Sequence, residues 1–257
     1  MFHGFQMSRK EKRWPNEMVE GLSYKYITKN LSIKYIENKL LDKLIDNFTK
    51  DKFNEFLTLR KYREKKFSKE FSYETKIEVI EGMAEYVELK ALKCLNEKLF
   101  IEKISNTKKL ICDFKNLIPI RMISYKIGAL LLLICDQNKI SFYHEIGSTS
   151  KTIFEILSTK IDCQDLSIEN NTKIELMINN YYERIKQDIE LFIDSSTSSI
   201  IGTFEIYGLD PLNTIKYNNY IHCKHFLAYK DKEEVKYINQ ECIASINDDF
   251  MINKICT

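Results

Sequence analysis

Glycine and proline are scarce in this chain of 257 residues, at 7 and 3. Tight turns are therefore few, and long uninterrupted helices are favoured. No CxxC pair occurs among the seven cysteines, at positions 94, 112, 135, 163, 223, 242 and 256. Their odd number and irregular spacing exclude a regular disulfide framework, and they read as reduced core thiols of a cytoplasmic protein. Neither sign of charge is in excess: 39 basic against 37 acidic residues give +2, which speaks against nucleic acid as a partner. The most apolar run, Ile127 to Cys135, is nine residues, against roughly 20 for a bilayer crossing. It reads as a buried helix, and no membrane partner is expected. A signal peptide, a Gly-rich phosphate loop, a Gly-x-Ser-x-Gly elbow, a Cys-His pair and internal repeats are also absent.

What is present is an ordinary globular composition with strong helical patterning. Pro15-Asn16-Glu17 is a helix-opening signal, giving a helix from Glu17 to about Thr28. Further helices are expected over Leu31–Phe48, Lys52–Lys66, Tyr73–Leu99, Arg121–Asp136, Ser150–Leu157 and Ile168–Asp194, with a loop before Pro119. The basic run Leu59 to Lys66 reads as a solvated helix end. Past the Ser195–Ser199 cluster the period changes. Ile200–Tyr207, Asn219–Lys230, Val235–Ile246 and Phe250–Cys256 are β-rich runs separated by turn signals. The expected fold is mainly α: a multi-helix domain over 1–195, then a small antiparallel β-rich module over 196–257.

The stretch around Glu81 organises the helical part. At about 100° per residue, Ile77, Ile80, Ala84, Val87, Ala91, Leu92 and Leu95 share one broad apolar face. Glu81 and Glu88 fall inside that face, with Glu85 at its margin. A carboxylate directed at a core must be paired, protonated or bound to a cation. Gly82 and Ala84 leave room beside Glu81 for another backbone or an ion.

Glu81-Gly-Met-Ala-Glu85, within the longer run Glu-Gly-Met-Ala-Glu-Tyr-Val-Glu88, resembles the glutamate helix of gluzincin-type, thermolysin-like zinc metallopeptidases. The first residues, Met1-Phe2-His3-Gly-Phe-Gln, resemble the second half of a His-Glu-x-x-His helix. Met1 and Phe2 would be its variable positions. The resemblance implies a Zn2+ site with His3 and Glu81 as ligands and Glu85 as the carboxylate supporting a ligand histidine. It implies peptide-bond hydrolysis, with a peptide or protein substrate, for the intact family member. The first histidine and the glutamate base would lie upstream of Met1, so the chain as it stands is expected to lack activity and to hold zinc poorly. The run Arg121 to Ala129 has a looser likeness to a segment that packs near such sites, and Tyr125 or Tyr86 is a candidate oxyanion donor. His222 and His225, three apart on a strand, face opposite ways and read as structural. The competing reading is a helical scaffold or interaction protein in which the Glu81 helix pairs with lysines and no metal takes part. Nothing in the sequence sets the oligomeric state.

Overall fold

The computed structural model describes residues 2–142 and 146–257; Met1, assigned above to a variable motif position, lies outside them. The helices are α1 (Phe2–Ser8), α2 (Thr28–Asp46), α3 (Lys50–Lys66), α4 (Ser68–Leu95), α5 (Glu97–Cys112), α6 (Ile120–Gln137), α7 (Ile153–Leu157) and α8 (Thr172–Ser195). The strands are β1 (Ser199–Leu209), β2 (Thr214–Tyr217), β3 (Tyr220–Cys223), β4 (Leu227–Asp231), β5 (Glu234–Ile238), β6 (Cys242–Ile246) and β7 (Met251–Cys256). Helices followed by a small antiparallel sheet is the expected class.

Several boundaries follow from capping. The Thr49 hydroxyl accepts from the Lys52 amide at 3.3 Å and opens α3. Asn96 ends α4 and, through its side chain, caps α5 at the Leu99 amide, so a single residue turns one helix into the next. The stretch from Glu97 to Cys112 is therefore a helix, where the sequence reading had the tail of one helix and a loop. Thr152 and Glu155 form a reciprocal capping box on α7. The expected helix at Glu17–Thr28 shrinks to one π-type turn, Glu17–Gly21, capped by Asn16. Among the described residues, no helix is long and apolar enough to cross a membrane.

The chain divides into two compact units, Met1–Pro15 with Tyr24–Glu175, and Asn16–Ser23 with Leu176–Thr257. The change from helix to strand falls at Ser195–Ser199, where the sequence pattern changes. The packing boundary, though, falls some twenty residues earlier. The cause is the apolar stripe of α8: Ile185 and Ile189 bury against Ile243 of β6, with Tyr181, Phe192, Ile215 and Tyr217 around them.

In the first unit α4 and α6 lie in close contact. A Cβ on Gly82 would sit 2.7 Å from the Gly128 Cα, and one on Gly128 would sit 2.3 Å from the Glu78 carbonyl oxygen. The two glycines let the backbones approach. Around them Ile77, Ile80, Ile123, Ile127, Leu130 and Leu131 are buried.

In the second unit the sheet order is β2-β3-β6-β7-β1-β4-β5, with every pairing antiparallel. One face carries Phe204, Ile221, Cys223, Leu227, Tyr229, Cys242 and Ala244, joined by Leu22. The other carries the α8 contact. Two runs read as single strands each split in two, because Lys224–Phe226 and Asn239–Glu241 interrupt them and carry the chain to a strand that is not adjacent in the sheet.

Candidate functional site

Helix α4 presents a column of glutamates, and those from Glu74 to Glu88 each meet a cation. Glu74 accepts from Lys34 Nζ at 2.7 Å, Arg63 Nη2 at 2.5 Å and the Tyr24 hydroxyl at 2.6 Å. Glu78 accepts from Arg60 Nη2 at 2.6 Å. Glu81 meets His3 and Arg121, and Glu85 accepts from Lys126 Nζ at 2.7 Å. Glu88 is exposed and reaches Lys103 at 2.5 Å. Glu88 and Val87 thus lie outside the core face to which the helical wheel assigned them. Leu92 still packs beside Leu89 and Phe100, but past it the helix end stands in solvent, and Leu95 is 84% exposed.

The His3–Glu81 contact joins segments 78 residues apart, with Nε2 to Oε2 at 3.0 Å. Gln6, fully buried, sets its orientation. The Gln6 amide nitrogen donates to the Ile80 carbonyl at 3.2 Å, so the Gln6 Oε1 faces His3 Nδ1 at 2.8 Å. Both ring nitrogens therefore face oxygen acceptors, and both bonds form only if each nitrogen carries a proton. A neutral ring with its proton on Nδ1 directs a lone pair at a carboxylate, an arrangement completed by a cation between them. The Trp14 ring stands 5.9 Å from the imidazole.

Arg121 closes the other side. Its Nη2 donates to Glu81 Oε1 at 2.7 Å, and its Nε donates to the Tyr125 hydroxyl at 2.9 Å. Burial pushes the Tyr125 phenol up to about 12; Arg121 pulls it down and Glu81 pushes it up again. It remains a neutral hydroxyl through the physiological range. Burial and then Asp136 likewise raise Tyr86, which sits beside the Lys90–Asp136 pair and away from Glu81. Arg121 and Tyr125 are four apart on α6 and so share a face. That spacing was legible in the sequence; the partner they would meet was not.

For zinc the donor set is short. Ligands held about 2.0–2.2 Å from a tetrahedral zinc stand roughly 3.3 Å apart, close to the observed His3–Glu81 separation. Yet a zinc held by the protein takes three or four side chains. Among the described residues, no group of three or more His, Cys, Asp or Glu is placed to hold a metal ion. Arg121 also neutralises the carboxylate that the metal would need. By themselves these residues do not fit a tightly held zinc. Glu85, cast as a support for a ligand histidine, is paired to Lys126 instead.

The larger surprise lies deeper. Arg60 and Arg63, read from sequence as part of a solvated helix end, are fully buried. Arg63 bonds Asn30 at 2.8 Å, Glu37 at 2.9 Å and Glu74. Arg60 sits among Phe56, Phe71 and Phe154, 5.0–5.4 Å from their ring centroids. Three cations (Lys34, Arg60, Arg63) face three carboxylates (Glu37, Glu74, Glu78), so the buried charge balances. Burial acts to raise Glu74, but Arg63 and Lys34 outweigh it and hold the carboxyl at about 2. For Glu37 burial wins over Arg63, Arg60 and Lys34, and its carboxyl is raised.

In the second unit His222 Nε2 meets Glu241 at 2.6 Å, and His225 Nδ1 meets Asp210 at 2.8 Å. The two histidines serve separate partners.

Gln6, which carried no sequence signal beyond its place near His3, ties the N-terminal helix to α4. Replacing Gln6 with Leu keeps its bulk but removes the bond to the Ile80 carbonyl and the acceptor that faces His3 Nδ1. Stability should fall by about 1–2 kcal/mol, read as a lower urea midpoint with an unchanged slope. Comparisons with protein-family models, with curated proteins and with solved structures give no match.

Proposed function

We propose that this chain is a zinc-metallopeptidase-like protein in which His3 and Glu81 supply two ligands of a gluzincin-type centre. Peptide-bond hydrolysis is the activity of such a centre when it holds a third ligand and a general base. The observation that carries this reading is the convergence of His3 Nε2 on Glu81 at 3.0 Å across 78 residues, with Gln6 holding the ring. The chain's own residues do simpler things. Gln6 fixes the imidazole plane, Arg121 fixes one carboxylate oxygen of Glu81, and the neutral Tyr125 hydroxyl remains a hydrogen-bond donor nearby. A third ligand and a general base are not found among the described residues.

A second reading has its own support. Glu81 and Glu85 are each satisfied by a cation of α6, Arg121 and Lys126. That is what a helical scaffold without metal would show.

One experiment separates the two. A form carrying His-Glu directly before Met1 should hold about one zinc per chain, measured by metal analysis after dialysis, while the chain without it holds none appreciably. Glu81→Gln in the extended form should abolish zinc retention with little change in thermal midpoint. Glu85→Ala should weaken zinc about 10- to 100-fold. Zinc content indifferent to Glu81→Gln would leave the scaffold reading standing alone.

A further inference from the structure

Cys223 of β3 and Cys242 of β6 are register partners in the antiparallel sheet. Directly opposite residues project to the same face, and both belong to one apolar cluster with Ile221, Leu227 and Ala244. Both are free thiols and both are fully buried. Opposed positions in an antiparallel pair have Cα separations of about 4.5–5.5 Å, inside the 4.4–6.8 Å range of disulfides. Cys223 also lies one strand from the sheet edge, since its other partner is Thr214 of the edge strand β2. Opening that edge gives a small oxidant access.

We propose that Cys223 and Cys242 are a redox-active pair that closes into a cross-strand disulfide with a peroxide as oxidant, locking the β2–β3 hairpin to β6. The roles differ between the two sulfurs. The contact with Cys242 lowers Cys223 against the opposing effect of burial, with a further lowering from Thr214; the same contact, then burial, raises Cys242. Cys223, paired to the edge strand β2, is the sulfur an oxidant entering by that edge meets first, and it attacks as the thiolate. It displaces hydroxide from the peroxide as the O–O bond breaks, and the proton it shed converts that hydroxide to water. The resulting Cys223 sulfenic acid is attacked by the Cys242 sulfur. Its hydroxyl departs with the Cys242 proton as a second water. Two thiols and one hydrogen peroxide give one disulfide and two waters.

The test uses the whole chain in a Cys94→Ser/Cys163→Ser background, which removes the two exposed thiols. The folded protein is treated with hydrogen peroxide, quenched, alkylated in denaturant and mapped by mass spectrometry. The expected product is a peptide cross-linked between residues 223 and 242, lost on adding dithiothreitol. Amide exchange over 214–223 should slow by at least about tenfold, a modest share of what closing such a loop can do. In Cys242→Ala, the same treatment should leave Cys223 as sulfenic or sulfinic acid with no cross-link. Linkage of Cys242 to Cys256 instead, or free thiols at both 223 and 242 after exposed methionines have oxidised, would overturn the proposal. Cross-linking only in denaturant that melts the sheet would do the same.

Discussion

Glu74→Gln should cost about 3–5 kcal/mol at neutral pH, the usual penalty for removing one partner from a buried charge set. The substitution keeps the shape of the side chain, so packing is not what is lost. It leaves Lys34 and Arg63, both fully buried, sharing two carboxylates among three cations. The pH dependence gives a second check. The folded-state carboxyl of Glu74 lies at about 2, below its ordinary 4.5. A depressed carboxyl contributes stability that is present above the unfolded value and is lost as pH falls through the folded one. The gap between the parent protein and Glu74→Gln should therefore be widest above about pH 4.5 and close toward pH 2. Glu37 works the other way. Its carboxyl is raised, so it favours the folded state most at low pH and loses that contribution as pH rises. Acid unfolding of the whole protein should accordingly be shallower than Glu74 alone would give. Urea midpoints at three pH values measure both effects; a gap independent of pH would mean that Glu74 acts through its hydrogen bonds rather than its charge.

The second large effect is expected at Gly128. Helix propensity alone favours Gly→Ala by up to about 1 kcal/mol in a helix interior. Sterics should reverse that sign. The new Cβ would lie 2.3 Å from the Glu78 carbonyl oxygen and 2.8 Å from the Glu78 Cα. These are backbone atoms of α4 and cannot rotate away. Gly128→Ala must push the two helices apart, costing about 1–3 kcal/mol or more. The shift also separates the residues that bridge them, Arg121 from Glu81 and Lys126 from Glu85. Thermal unfolding of Gly128→Ala should show a lower midpoint, and Ala129→Gly, a change without added bulk, should lose less. A Gly128→Ala protein as stable as its parent would show that α4 and α6 tolerate a wider spacing.

How much of this was legible beforehand depends on the length scale of each feature. The existence of the long helices, the glycines at their closest approach and the change to strands near Ser195 are written in local pattern. Each depends on residues within a few positions of one another. Glu81 was marked as unusual by the same local means, because a carboxylate inside an apolar stripe demands a partner. The sequence could not say which partner. Arg121 and His3 lie 40 and 78 residues away, and only the packing of α1 and α6 on α4 brings them together.

The same limit explains the misreadings. In a run such as Leu59 to Lys66, basic side chains have no period that distinguishes solvent from a nest of carboxylates. Arg60 and Arg63 became core residues because α2 and α4 placed Glu37, Glu74 and Glu78 opposite them. Val87, Ala91 and Leu95 continue the apolar stripe of α4, yet the stripe outruns the helix packed against it. Helix α8 reads as the last element of the helical part, but its isoleucines join the sheet. Local sequence determined which elements form. Which charges are buried, which helix end is bare and which thiols face each other were decided by tertiary contact, since burial is a property of the neighbours an element acquires.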